Sequence, residues 1–178
     1  MNAVWVAGTL VACLVLSSCA PYEVFPPETM EGVDKKFDFP QWRTFAERME
    51  ERKVQVGGRI VGSRGQGSML TIVAMELPIV EHPAYGPKDT GKRSGEFAVT
   101  FLGRIDASYL QPGNRFIVVG KTSRPQTVAV DDLPRNLPSI RAECLHIWKT
   151  GGREIAEFPS YGAGYEPLEE ETMCAPAQ

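Results

Sequence analysis

The sequence predicts a mainly β domain: a small five-stranded barrel with one short N-terminal helix and extended tails. Three observations predict it. Glycine (17) and proline (14) break the 178-residue chain into short segments, which favours turns and strands over long helices. Five of these segments carry β-branched and aromatic residues, several with apolar residues at every second place, the period of a half-buried strand. A stretch able to make one helical turn precedes the fourth segment. A five-stranded OB-like barrel accommodates all of this, and closure removes the exposed edges that separate strands would present. A β-sandwich is the alternative.

Taken in order, the domain is expected over residues 38–150. Asp38-Phe39-Pro40-Gln41 combines an N-cap acid, a first-turn proline and a capping-box glutamine. Behind it Trp42, Phe45, Ala46 and Met49 recur at helical spacing, a face expected to dock on the domain's own core. The first strand starts at Lys53, with Val54, Val56, Gly58 and Ile60 on one face. Gly62 to Ser68 reads as a hairpin turn, and Met69 to Leu77 as the second strand. The third runs Glu96 to Ile105, the fourth Arg115 to Lys121 and the fifth Ile140 to Trp148. Between them lie two Pro-rich stretches, 78–94 and 122–138, expected as loops. Residues 19–37 read as an extended tether, and 151–178 as a loosely ordered acidic tail with four Glu after residue 160.

The first eighteen residues differ in kind. Val4 to Leu16 is apolar and uncharged, and as a helix would span roughly 20 Å, short of the ~30 Å hydrocarbon core. That length suits the hydrophobic region of a signal peptide, here residues 1–18, although Met1-Asn2-Ala3 supplies no Lys or Arg. Leu16-Ser17-Ser18-Cys19 then resembles the lipobox of bacterial lipoproteins: an aliphatic residue, two small ones and a Cys. The resemblance implies cleavage before Cys19 and covalent lipid on its thiol, with no other cofactor. Several acyl chains together anchor durably where one binds only marginally. Ala20, rather than Asp, follows the Cys, which resembles the outer-membrane sorting pattern and implies a periplasm-facing anchor.

Of four Cys, Cys13 falls in the signal and Cys19 in the lipobox, leaving Cys144 and Cys174. An exported compartment permits a disulfide between them, which would stabilise by roughly 3–4 kcal/mol. A buried Cys144 with a free thiol in the tail is equally compatible with the sequence.

Several segments, in order, resemble the Slp family of starvation-inducible outer-membrane lipoproteins. Val54-Gln55-Val56-Gly57-Gly58-Arg59-Ile60-Val61 looks like its first-strand signature. Gly95-Glu96-Phe97 opens the third strand, and Leu110 to Gly120 resembles a Leu-Pro-Gly segment followed by V-x-V-x-G. Leu145-His146-Ile147-Trp148 matches a closing aromatic strand. With the lipobox, the resemblance covers residues 16–149. It departs at 125–138, where a Tyr-rich stretch is usual, and in the acidic tail carrying Cys174. The family implies an envelope lipoprotein linked to stress or stationary phase, without an established enzymatic activity.

The residues themselves offer little chemistry. Cys144 and His146, two apart, could give two metal ligands or a thiolate–imidazole pair, but no third ligand is evident. His82 lies beside Glu81 in a loop, and Asp131-Asp132 reads as a solvated turn. Gly62-x-x-Gly65-x-Gly67 joins two strands and lacks a following Gly-Lys-Ser/Thr, so it is no phosphate loop. No nucleophile elbow or His-Glu-x-x-His occurs, and no enzyme is expected. A net charge of −3 gives no long-range pull on nucleic acid or an anionic membrane, and no stacking groove for single strands is visible. The expected role is structural or interactive. The alternative is a ligand-binding module, with Tyr85, Lys88, Lys92 and Arg93 of the 78–94 loop as the contact surface for a glycan, lipopolysaccharide or envelope protein.

Overall fold

A computed structural model describes residues 24–80, 86–92, 94–130, 132–158 and 167–176. The expected helix and five strands are present, and a sixth strand joins them. Helices α1 (Pro27–Met30) and α2 (Phe39–Phe45) precede β1 (Lys53–Gln66), β2 (Met69–Glu76), β3 (Glu96–Leu102), β4 (Arg115–Val130), β5 (Leu133–Trp148) and β6 (Glu170–Cys174). One sheet runs β3-β2-β1-β4-β5-β6, and a parallel pairing of β3 with β5 closes its first five strands into a ring. The ring leaves β1 at Lys53, passes Lys121, Arg141, Thr100 and Thr71, and returns to β1 at Arg64. That stagger of eleven residues is the strand tilt a five-stranded barrel needs to close.

Alternation fills the interior as the sequence predicts. Val54, Val56, Ile60, Ile72, Phe97, Val99, Val118, Leu145 and Ile147 form one buried cluster. Helix α2 plugs one mouth: Asp38 caps it by accepting from Gln41 N at 2.8 Å, and Phe39 meets Phe97 edge-on at 5.4 Å. Trp42 is buried in the same cluster, whereas Phe45, expected on the docked face, is 49% exposed. Ala46 and Met49, past the end of the helix, pack partly buried against the same cluster.

Glycines permit the tight places. Gly58 points inward where the Phe116 ring fills the space a Cβ would take, 3.0 Å away. Gly57 points outward, and a Cβ there would meet the Leu77 carbonyl at 2.6 Å. At Gly120 the register of β4 on β5 shifts, with Val119 opposite Cys144 and Gly120 opposite Ala142. The extra residue, Glu143, makes a bulge that switches which positions of β5 face inward. A Cβ on Gly120 would lie 2.2 Å from the Arg141 carbonyl oxygen.

Four expectations are corrected. The stretch 122–138 is no loop: β4 and β5 continue as a hairpin to Val130 opposite Leu133, with Asp132 in the left-handed region (φ 61°). Pro125 sits where the register shifts between Ser123 and Gln126, one of the places a strand tolerates proline. Gly62–Gln66 are strand rather than turn, and the reversal narrows to Gly67-Ser68. The third strand ends at Leu102, not Ile105. Finally, the segments read as tether and tail both pack on the barrel wall. Phe25, Ile117, Val119, Cys144, Trp148 and Ile155 form a second cluster, with Val24, Met30 and Leu168 against it.

Candidate functional site

The lipobox residues Leu16, Ser17, Ser18 and Cys19 lie outside the described residues, as do His82, Tyr85, Arg93 and Asp131 of the other candidates. The chain enters view at Val24, on the wall formed by the outer faces of β4 and β5. Here Cys144 and Cys174 are joined by a disulfide, which binds β6 to β5 at their directly opposed positions. Thr172 of β6 donates to the Val24 carbonyl at 3.4 Å, so the N-terminal segment, β5 and β6 are tied in one place.

His146 belongs to this wall. Its Nδ1 lies 2.6 Å from the Thr172 hydroxyl and its Nε2 3.4 Å from Glu170. The ring packs edge-on against Trp148 at 4.2 Å. Burial pushes the imidazole below its ordinary range, and the Glu170 carboxylate partly opposes the shift. With Cys144 in a disulfide, the thiolate–imidazole and two-ligand metal readings of this pair fall away.

The 78–94 loop is held rather than free where it is described. Ile79 bridges Pro87, Arg59 pairs with Asp89 at 3.1 Å, and Arg115 donates to the Pro87 carbonyl at 2.8 Å. Arg115 is buried and grips Glu154 with both guanidinium nitrogens. That clamp holds the Glu154 carboxyl below the usual carboxylate range. Lys88 and Lys92 remain at the exposed surface of the loop. Sequence reasoning missed Arg115 as an anchor of both flanking segments, because a basic residue opening a strand reads as a solvated end.

A ligand reading would use the outer face of β2 and β3 with the adjoining loops. Val130 and Leu137 of the β4–β5 hairpin cover Val73 and Ala98 on that face, and Arg135 pairs with Glu96 at 2.6 Å. An open concavity lies elsewhere. β3 and β6 both pair with the same edge of β5, at 139–141 and at 144–148. The gap between them, at Ala142 and Glu143, leaves a groove of about 790 Å³ beside the N-terminal segment. Met69, Leu102, Lys53, Lys121 and Arg141 line it on the barrel side and Pro26 on the other. Among the described residues no three His, Cys, Asp or Glu are grouped to hold a metal ion.

A small closed β-barrel coated by its own N-terminal segment is the class of domain that the described residues define. The comparisons make this specific: the model of the outer membrane lipoprotein Slp family matches residues 16–172. The chain belongs to that family and is an outer-membrane lipoprotein. No curated protein and no solved structure matches it.

Proposed function

We propose that the chain is made with a signal peptide, residues 1–18, cleaved before Cys19 and anchored by lipid on that thiol, its barrel on the periplasmic side. It acts there as a non-enzymatic structural or interaction protein of the envelope, in the stress or stationary-phase setting the family implies. The observation that carries this is Leu16-Ser17-Ser18-Cys19 at the end of an apolar stretch, at the point where the family match begins. The domain supports an interaction role more than a ligand role, since the hairpin closes the β2–β3 face.

Cys19→Ala is the test. Labelled palmitate incorporated by the native chain should be absent from the variant, which should leave the membrane fraction. Unchanged labelling and fractionation would overturn the reading. Crosslinking in cells from Lys88 and Lys92 separates an interaction role, seen as a reproducible protein adduct, from glycan capture.

A further inference from the structure

We infer that the groove between β3 and β6 is the face on which the domain rests against the phospholipid headgroups of its own membrane. This rests on the lipid anchor at Cys19. Only five residue steps separate Cys19 from Val24, a reach of at most about 18 Å fully extended. Val24 is fixed on the barrel wall through Thr172, and two residues later Pro26 already lines the groove. The barrel therefore has no long leash. It lies close to the bilayer with its entry side nearest.

The groove has the composition of a bilayer-facing surface. Lys53 stands directly opposite Lys121, and Lys121 opposite Arg141, across three neighbouring strands. Like charges in directly opposed positions destabilise a sheet. Two carboxylates pair with these three cations: Glu143 with Lys53 at 3.0 Å, and Glu51 shared by Lys121 at 3.6 Å and Arg141 at 3.4 Å. Glu28 lies on the far wall. Next to the cations, Met69 and Leu102 are paired neighbours that are 46% and 39% exposed. Aliphatic tips beside long basic side chains match the interface, where apolar atoms enter the acyl boundary and ammonium or guanidinium groups reach phosphate. The net charge of −3 gives no attraction from afar. The anchor supplies the proximity, and the local row of cations then acts within a Debye length.

The lipidated chain, reconstituted at low density in vesicles of phosphatidylethanolamine and phosphatidylglycerol, provides the test. Leu102→Cys and Lys92→Cys each carry an environment-sensitive fluorophore, and nitroxide-labelled lipids act as quenchers. Position 92 lies in the loop pinned to Arg59, well along the strands from the groove. Quenching at 102 should exceed that at 92 by about twofold or more, and should weaken in 1 M salt, as surface attraction falls off over the Debye length. Lys121→Gln with Arg141→Gln should reduce it without lowering thermal melting. Equal quenching at both positions overturns the inference. So does a blue shift at 102 that ignores the lipid quencher, which would mean contact with a second copy. Palmitate content of the same preparation separates the two ideas: with lipid present and quenching absent, only the docking face is lost.

Discussion

Gly120 is the residue on which the barrel's closure turns. Its lack of a Cβ lets the Arg141 carbonyl approach, so that the Glu143 bulge forms and Ile140 and Ala142 before it face the core together with Leu145 and Ile147 after it. Gly120→Ala should cost about 3 kcal/mol, an overpacking penalty with no flexible neighbour to yield, measured by urea unfolding. A glycine inside V-x-V-x-G marks a bulge or close approach in sequence, but which of the two it is depends on the partner strand. Glu76 is the opposite case. It is buried, its Oε2 has no hydrogen-bond partner among the described residues, and burial raises its pKa against the pull of Ser94. The unfolded chain loses this proton at lower pH than the folded one, so stability falls as pH rises from about 4.5 towards the folded value. Glu76→Gln should therefore melt higher at pH 7, by about 1–2 kcal/mol, and equal melting there would contradict the account.

At the scale of elements, β6 and the β4–β5 hairpin carry the surprises. Both have loop-like composition. β6 holds Glu170 and Glu171, yet charge on an outermost strand is how sheets protect a free edge, and the disulfide supplies what a strand of five mostly exposed residues cannot. The acids give the tail a loosely ordered composition, and the partner edge left open where β3 diverges from β5 exists only in the folded chain. Replacing Cys144 and Cys174 together by Ser should cost about 3–4 kcal/mol for a loop of this length. It should also speed hydrogen exchange at 144–148 while leaving 115–119 protected, because β6 covers only that edge. Loss of β6 would also release His146. Its lowered pKa means that the unfolded chain takes up a proton near pH 6.5 before the folded chain does. Stability should thus decline as pH falls from 7 through about 6.5, and His146→Gln should flatten that slope. An unaltered slope would assign it to another group.

For the whole molecule, the five-strand ring was legible because each interior strand alternates or is apolar throughout, and the turns between them are rich in glycine and proline. The outer coat was not. Segments 24–37 and 154–174 have tail composition, but Phe25, Ile155 and Leu168 find a second apolar surface on the barrel wall, a surface visible only once Cys144 and Trp148 are known to face outward. That coat leaves only five residue steps between Val24 and Cys19, so the proposed lipid anchor would hold the barrel against the membrane rather than at a distance. The proposed functional chemistry rests on one residue, Cys19, since a lipobox-like run is a local signal and needs no fold to be read. Intact-mass and peptide mass spectrometry of the protein purified from membranes tests this most directly. The mature chain should begin at Cys19, with diacylglycerol on sulfur and an acylated amine. A chain that still begins at Met1, or one whose Cys19 carries no lipid, would contradict it.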